Sequence, residues 1–256
     1  MTDKEYLYQI LNRETVDTGF NSSARAAADQ LQPTIQNWAG TWLNSLEPSG
    51  SFAKGTANRT GTDIDLFISL RSGITLTLKE IYNSLYDHMK KEGFSPKKQN
   101  VSINVRLTRD NKPYDVDLVP AKQQTDFTTD HSLYRNRADT WTKTNVKTHI
   151  ETVKNSGRQS ETRILKLWRN QKGIDFPSFY LELVTIEALK GKYGDLPTNV
   201  MAVFEYLRDT FPHARFQDPA NGNNIISDDL TQQGKDAIKV AANAARAAST
   251  WREIVK

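Results

Sequence analysis

The chain has 256 residues, of which 37% are hydrophobic and 25% are charged, and its formal net charge is +4. This composition excludes a disordered polyelectrolyte, a fibre and a small protein that depends on disulfides. Cys is absent, which excludes thiolate zinc sites and a Cys nucleophile and favours a reducing, cytoplasmic setting. No segment reaches the roughly 20 apolar residues of a membrane helix, and the acidic first residues are unlike a signal peptide, so no membrane partner is expected.

The first 120 residues contain both helical and strand-like patterns. Apolar residues recur every three or four positions over most of residues 4–46 and again over residues 76–91, which predicts helices, and a turn is predicted at residues 47–50. Three other segments have the β-branched, aromatic or alternating composition of strands: residues 64–70, 101–107 and 114–120. The expected fold class of this part is therefore α+β with a mixed sheet.

The composition changes after Pro120, where Thr, Gln, Asn and Asp dominate until about residue 142 and predict a polar linker or mobile loop. Beyond it, helical spacing predicts four helices, one that starts near Gln159 and three at residues 179–189, 200–207 and 230–255. We therefore expect an amino-terminal α+β domain over residues 1–125 and a helical domain over residues 140–256. The first helices of the chain are expected to pack on either of them.

Acidic residues interrupt two of the predicted strands. Asp63 and Asp65 are two positions apart, so they project from the same side of their strand out of an otherwise apolar segment. From spacing alone, either Asp115 or Asp117 supplies a third carboxylate from a neighbouring strand. Three carboxylates suit hard divalent cations, and Mg²⁺ is the expected ion. Two ions about 3.5–4 Å apart would activate a hydroxyl and neutralise a leaving pyrophosphate.

Gly50 and Ser51 lie at the turn that leads to the acidic doublet. Gly allows the backbone to approach a phosphate closely, and backbone N–H groups with a Ser hydroxyl can donate to phosphate oxygens. Further donors follow in the sequence: Lys54, Thr56, Asn58, Arg59 and Thr62. Taken alone, the Gly-Ser pair also fits an ordinary turn, and the acidic doublet fits a solvated strand end. The combination of the two favours a site for a nucleotide.

These motifs resemble a known signature. The segment from Gly50-Ser51 to Asp63-Ile64-Asp65, followed by Tyr114-Asp-Val-Asp117-Leu-Val-Pro120, is similar to that of the polymerase-β-type nucleotidyltransferases. It is most similar to their branch of archaeal CCA-adding enzymes, oligoadenylate synthases and bacterial CD-NTases. Three later segments are similar to the helical-domain motifs of that branch: residues 163–168, 176–183 and 218–224. The resemblance covers residues 45–250 and implies a bilobal protein with a polymerase-β-like palm, a helical nucleotide-binding domain and an active site in the cleft.

The resemblance implies roles for seven residues: metal ligation and catalysis by Asp63, Asp65 and Asp117, and nucleotide contacts by Gly50, Ser51, Lys166 and Ser178. It selects Asp117 over Asp115, because the acid that directly precedes Leu-Val-Pro is the ligand in the family pattern. Asp115 is then expected to have a structural role beside the site. For Lys166, the alternative is an ordinary structural lysine of a helix.

The resemblance also implies an activity. We expect an Mg²⁺-dependent, template-independent nucleotidyltransferase with two ions, for which Mn²⁺ could substitute. It would join nucleoside triphosphates, NTPs or dNTPs, into a cyclic or linear oligonucleotide signal that a downstream effector protein reads, as in bacterial antiphage defence. An archaeal CCA-adding enzyme continues into further tRNA-gripping domains, which disfavours tRNA maturation here. The alternatives are a terminal transferase that adds nucleotides to tRNA, another polynucleotide or a protein hydroxyl, and a catalytically silent module that binds nucleotides or RNA.

Two other groups of residues carry weaker signals. The four histidines lack metal-ligand spacing and are expected to be surface or capping residues: His88, His131, His149 and His213. Aromatic and basic residues alternate in the polar segment after Pro120: Tyr134, Arg135, Arg137, Trp141 and Lys143. This composition fits either an ordinary exposed loop or a surface that stacks a base or holds an acceptor strand.

Overall fold

The computed structural model describes residues 1–19, 22–60, 63–109 and 111–256. The chain divides into two compact units. The sheet unit comprises Asp17–Gly55 and Gly61–Ile150, and the helical unit comprises Met1–Val16, Thr56–Thr60 and Glu151–Lys256. The last boundary between the units falls at residue 150, and Met1–Val16 and Thr56–Thr60 belong to the helical unit.

The described elements alternate between helices and strands in the first half and are mainly helical in the second. The helices are α1 (Asp3–Arg13), α2 (Ser23–Asp29), α3 (Gln32–Ala39), α4 (Gly50–Lys54), α5 (Leu78–Lys91), α6 (Val146–Asn155), α7 (Gln159–Gln171), α8 (Ser178–Ala188), α9 (Leu196–Asp209), α10 (Gln232–Ala247) and α11 (Trp251–Ile254). The strands are β1 (Leu43–Pro48), β2 (Ile64–Leu70), β3 (Lys97–Lys98), β4 (Ile103–Arg109), β5 (Lys112–Gln123), β6 (His131–Arg135), β7 (Thr140–Thr144), β8 (Gln217–Asp218) and β9 (Asn221–Ile225).

The sheet unit is built on a mixed sheet in which the strands run in the order β1-β2-β5-β4-β3, with β6 joining β5 to β7. Strands β2 and β5 are parallel, whereas β1 pairs with β2 and β4 pairs with β5 in antiparallel fashion. Alternate residues of β2, from Ile64 to Leu70, pack with helix residues such as Ile35, Ile81 and Leu85 in the main core of this unit. The opposite face of β2 carries Asp65. The α+β class with a mixed sheet is confirmed.

Two sheet segments differ from the sequence prediction. Strand β1 lies where the end of a helix and a turn were expected, and Leu46 pairs with Ile68 of β2. Strands β6 and β7 lie in the expected polar linker, where Leu133 pairs with Thr142. Pairing decides the local conformation in both cases: β1 pairs with β2, which lies farther along the chain, and β6 pairs with its neighbour β7 in a hairpin. Thr fits the pleated strands of that hairpin although it is polar. Polar composition alone therefore gave the wrong structure.

The helical unit packs around a separate apolar core that includes Leu7 of α1, Trp168 of α7, Tyr180 of α8 and Phe204 of α9. The single long helix expected over residues 230–255 is two helices, α10 and α11. The break occurs because Glu253 binds the residues that precede α11, accepting bonds from the Ser249 backbone N–H and the Thr250 hydroxyl. In the described ranges, no helix is long and apolar enough to cross a membrane.

Candidate active site

The acids of the sheet unit lie in two rows across one face of the sheet. Asp65 of β2 is the register partner of Asp117 of β5, and Asn104 of β4 is opposite Asp117 on its other side. Register partners on adjacent strands share a face, so these three side chains form the first row. In the second row, Arg106 of β4 is opposite Asp115 of β5. Asp63 immediately precedes β2.

Asp117 is 8% exposed and is oriented by two neighbouring amides. Its Oδ1 accepts hydrogen bonds from Asn104 Nδ2 at 2.8 Å and from Gln99 Nε2 at 3.2 Å. Burial raises the pKa of the Asp117 carboxyl above its usual value, the negative charge of Asp115 adds to this increase, and the hydrogen bonds oppose it. The amides therefore fix a carboxylate whose negative charge the surroundings disfavour.

Asp63 is more exposed than Asp117, yet its pKa is also raised. Desolvation is the largest cause, followed by the negative charges of Asp117 and Asp115, while Arg106 acts in the opposite direction. The ionised acids on this face thus repel one another. A cation bound among them would relieve this repulsion, which is the electrostatic property expected of a site for a divalent ion.

We call the side of the sheet that carries Asp63, Asp65, Asp115 and Asp117 the acid face. Gly50 is in direct contact with it. Its φ is +56°, and a Cβ added to it would lie 1.6 Å from Asp65 Oδ2. The preceding Ser49 N–H donates to the Asp65 carbonyl at 2.7 Å. Only Gly permits this approach, because a side chain would occupy the space of the carboxylate. The structure therefore places Gly50, with Ser51 next to it in α4, beside Asp65.

The fit of this face to a metal depends on donor chemistry. Within residues 1–19, 22–60, 63–109 and 111–256, no group of three or more His, Cys, Asp or Glu is placed to hold a metal ion. The face nevertheless offers carboxylate oxygens from adjacent strands, those of Asp65 and Asp117. Asp63 is close enough to Asp117 for the charge of Asp117 to raise its pKa. Oxygen donors of this kind suit Mg²⁺, which needs only one or two carboxylates and keeps water and phosphate as its other ligands. The donor set thus fits Mg²⁺ in chemistry, and assembly of three ligands requires side-chain movement.

Several of the expected phosphate donors have other partners. The expected set is Lys54, Thr56, Asn58, Arg59 and Thr62. In the helical unit, Thr56 Oγ1 donates to Glu182 Oε1 at 2.6 Å, and Asn58 Nδ2 donates to the Arg163 carbonyl at 2.9 Å. Thr62 lies outside the described residues. Thr56 and Asn58 thus hold the short segment 56–60 within the helical unit, which differs from the expected role.

Lys166 is buried in the helical unit, where its Nζ lies 2.7 Å from Glu182 Oε1 and 3.0 Å from Thr56 Oγ1. The resemblance implies a lysine that faces a triphosphate, whereas in this structure the ammonium is bound within a buried ion pair. Ser178 is exposed at the start of α8, and its Oγ accepts a hydrogen bond from Arg169 Nη1 at 3.0 Å.

The expectation for the histidines is wrong for His131. This residue is 6% exposed, its Nε2 lies 2.8 Å from Ser69 Oγ, and its Nδ1 lies 2.9 Å from the Thr129 carbonyl. The ring stands edge-on to Phe67, with 4.9 Å between the centroids. Phe67 and Ser69 follow Asp65 on the same face of β2. His131 therefore packs on the same face as the acids, farther along β2.

The basic and aromatic residues after Pro120 belong to β6, β7 and their connection. Tyr134 is buried and its hydroxyl donates to Asp139, while Lys143 forms an ion pair with Asp130 at 2.7 Å. Trp141 is 57% exposed. The segment is thus part of the sheet, with only some of its members at the surface.

Three residues of the site were missed in the sequence: Gln99, Asn104 and Arg106. Asn104 and Arg106 are the polar members of the alternating segment 101–107, so the same alternation that predicts the strand places both on its polar face. Their partners Asp117 and Asp115 follow only from the strand register. Gln99 gives no comparable signal, because it precedes β4.

Known proteins resemble this chain in sequence and in fold. No model of a known protein family matches the chain. A cyclic AMP-AMP-AMP synthase of Escherichia coli strain MS 115-1 is 25% identical over 262 residues, which cover 87% of this chain and 81% of the relative.

Two solved structures have the same fold. E. coli MS115-1 CdnC with ATP superposes with a TM-score of 0.79 at 23% identity, over 96% of this chain and 91% of the other. Cid1 poly(U) polymerase, bound to Mg and 3′-dATP, gives 0.69 at 16% identity, over 95% and 93%. The chain thus has the fold of the polymerase-β-type nucleotidyltransferases, and it is similar in sequence to their branch that contains the CD-NTases.

Proposed function

We propose that this protein is an Mg²⁺-dependent, template-independent nucleotidyltransferase that joins nucleoside triphosphates into a cyclic oligonucleotide signal. The observation that carries the proposal is the row formed by Asp65 and Asp117, with the backbone of Gly50 packed against Asp65. Carboxylates beside a close-approaching backbone suit metal-assisted transfer to a triphosphate. The cyclic AMP-AMP-AMP synthase relative supports the product class.

Each residue of the acid face has a distinct task in this proposal. Asp63, Asp65 and Asp117 hold two Mg²⁺ ions, or Mn²⁺ in their place. When bound, the metal lowers the pKa of the attacking hydroxyl and neutralises charge on the pyrophosphate. Asn104 holds the Asp117 carboxylate in one orientation by its 2.8 Å hydrogen bond. Gly50, together with Ser51, brings backbone N–H groups close to the triphosphate of the donor nucleotide.

Two further nucleotide contacts follow from the resemblance. Ser178 is exposed, and its hydroxyl is available to phosphate oxygens beside Arg169. For Lys166, the proposed triphosphate contact requires the ammonium to exchange Glu182 Oε1 for a phosphate oxygen. As a CD-NTase, the protein would act in the cytoplasm in antiphage defence, and its product would control an effector protein.

The test is product analysis with the purified full chain. Incubation with Mg²⁺ and a mixture of the four NTPs should release pyrophosphate and yield a cyclic oligonucleotide that mass spectrometry identifies. A linear product would support the proposed nucleotidyltransferase activity but would contradict the proposed cyclic product. Absence of both pyrophosphate and any phosphodiester product would contradict the proposal and favour a silent nucleotide-binding module.

A terminal transferase is the second candidate, and the shared fold with Cid1 poly(U) polymerase favours it. Labelled RNA, tRNA and protein acceptors added to the same reaction separate the two candidates. A terminal transferase would require one of these acceptors and would extend it, whereas a signal synthase would react with NTPs alone.

A further inference from the structure

We propose that Arg106 binds the 5′-phosphate groups of the acceptor nucleotide, the molecule whose hydroxyl attacks the donor triphosphate. This inference rests on the proposed function and adds a specificity-determining residue to it. Arg106 lies on β4, in the row of the acid face that also contains Asp115. The resemblance assigned it no role, and the sequence pattern showed only that it is polar.

The strand order gives the direction in which the acceptor lies. Gly50 contacts Asp65 of β2, so the phosphates of the donor lie toward the β1 and β2 side of the face. In phosphoryl-type transfer the attacking oxygen and the leaving group are roughly in line, on opposite sides of the reacting phosphorus. Crossing the face from β2 through β5 leads to β4. The acceptor therefore lies over β4, where Arg106 supplies a cation on this face.

The guanidinium of Arg106 is fixed by Asp115 and remains exposed, so an anion can reach it. Its Nε donates to Asp115 Oδ1 at 3.0 Å and its Nη2 donates to Asp115 Oδ2 at 2.7 Å, which fixes the plane of the fork. The Arg106 side chain is nevertheless 67% exposed. A fixed, exposed and planar guanidinium is suited to phosphate oxygens, because it presents several N–H donors in one plane.

The charge balance of the face gives a reason for this cation. The carboxylates of Asp63, Asp115 and Asp117 would repel a 5′-triphosphate that arrives on the acceptor. Arg106 lies among them and interacts with both Asp115 and Asp63. An exposed ion pair such as Arg106 with Asp115 contributes little to folding, on the order of 0–1 kcal/mol, so stability alone does not account for it.

The experiment compares two acceptors that differ only in their 5′ end. Both are linear dinucleotides of the base that the protein uses, one with a 5′-triphosphate and one with a 5′-hydroxyl. Their affinity for the full chain is measured by calorimetry with Mg²⁺ and a non-hydrolysable NTP analogue present. Arg106→Gln should weaken binding of the triphosphorylated dinucleotide roughly 10- to 100-fold and leave the 5′-hydroxyl dinucleotide unchanged.

Two matched variants complete the test. Arg109→Gln also removes a positive charge from β4, but Arg109 alternates with Arg106 and lies on the same face of the strand as the buried Ile103, Val105 and Leu107. This variant should change neither affinity. Arg106→Gln combined with Asp115→Asn should keep the defect. Equal loss for both dinucleotides, no loss for either, or recovery in the double variant would overturn the proposal. Because binding is measured without turnover, these results are distinct from a failure of the proposed catalytic activity.

Discussion

The acid face of the sheet unit and the polar cluster of the helical unit, formed by Thr56, Lys166 and Glu182, differ in how their charges are balanced. On the acid face, the negative charges of Asp115 and Asp117 raise the pKa of Asp63, so neighbouring groups disfavour its ionised form. In the helical unit, Lys166 and Glu182 form an ion pair that is nearly fully buried and that Thr56 completes.

The difference separates a cluster of like charges from a cluster whose opposite charges pair with each other before any ligand binds. A buried ion pair with a third hydrogen-bond partner satisfies its own charges, and breaking it destabilises the protein. A cluster of like charges costs stability, and natural proteins keep such clusters mainly at functional sites, where a ligand of opposite charge completes them. Removing a charge should therefore lower stability in the helical unit and raise it on the acid face.

The largest effect on stability is expected in the helical unit. Glu182→Ala leaves the buried ammonium of Lys166 without its carboxylate and should lower the free energy of unfolding by roughly 3–5 kcal/mol. Urea denaturation of the full chain measures this change. Glu182→Gln retains a carbonyl acceptor for Thr56 and Lys166 and should cost less. A Glu182→Ala variant as stable as the wild type would remove the contrast between the two clusters.

A smaller effect is expected where the backbone meets the acid face. Gly50→Ala forces a Cβ into the Asp65 carboxylate and strains a residue of positive φ, at a cost of roughly 1–3 kcal/mol, and should reduce turnover. Gly40→Ala is the matched control, since its φ is +53° but nothing lies within 4 Å of its added Cβ. Steady-state assays should therefore show an activity loss for Gly50→Ala alone. Equal activity of the two variants would show that the position of Asp65 does not matter.

The buried His131, which packs on the same face as the acids, should make stability depend on pH. Burial lowers the pKa of His131 below 6.5, so the unfolded chain binds its proton more readily than the native chain. Stability should fall as the pH drops below about 6.5, by at most roughly 1.4 kcal/mol per pH unit from this residue. The charged groups near the ring are Asp130, which pairs with Lys143, and Glu47.

Urea denaturation between pH 7.5 and 5 of the wild type and His131→Gln measures this contribution. The stability of the variant should decline less steeply over this window. His213→Gln, at an exposed position, should retain the wild-type slope. Parallel slopes for the wild type and His131→Gln would show that the ring is not held neutral in the fold.

The smallest effect is the most informative about the acid face. Asp63→Asn removes a charge that its neighbours disfavour, so the melting temperature without metal should rise by roughly 1–3 °C. Differential scanning calorimetry measures it, with Asp87→Asn on the exposed side of α5 as the control. A lower melting temperature for Asp63→Asn would mean that the acids stabilise the fold without a ligand.

The sequence predicts the local parts of this site well. The alternation around Asp63, Asp65 and Asp117 places the acids on strands, and the buried β2 and β5 follow from their apolar residues. Strand β1 is not predicted because its partner β2 lies farther along the chain, and β6 and β7 are not predicted because their polar composition is typical of a loop. The roles of Asn104 and Arg106 are not predicted because they depend on strand register. Arg106 pairs with Asp115 only when β4 and β5 are aligned in the sheet.

Lys166 shows a different limit of sequence reasoning. Its type and helical position fit both a phosphate contact and a buried ion pair. Only the three-dimensional position of Glu182, sixteen residues away on α8, distinguishes the two environments. Similarly, the burial of His131 depends on Ser69 and Phe67 of β2, which are more than sixty residues earlier in the chain.

The rate of Mg²⁺-dependent pyrophosphate release by wild type, Asp65→Asn and Asp87→Asn tests the role of the acid face most directly. Loss of one preorganised group commonly costs about 10²–10³-fold, so the Asp65→Asn rate should fall to between about a hundredth and a thousandth of the wild-type rate. Asp87→Asn should react at the wild-type rate, and circular dichroism should show all three chains folded. A folded Asp65→Asn variant that releases pyrophosphate as fast as the wild type would contradict catalysis by the acid face.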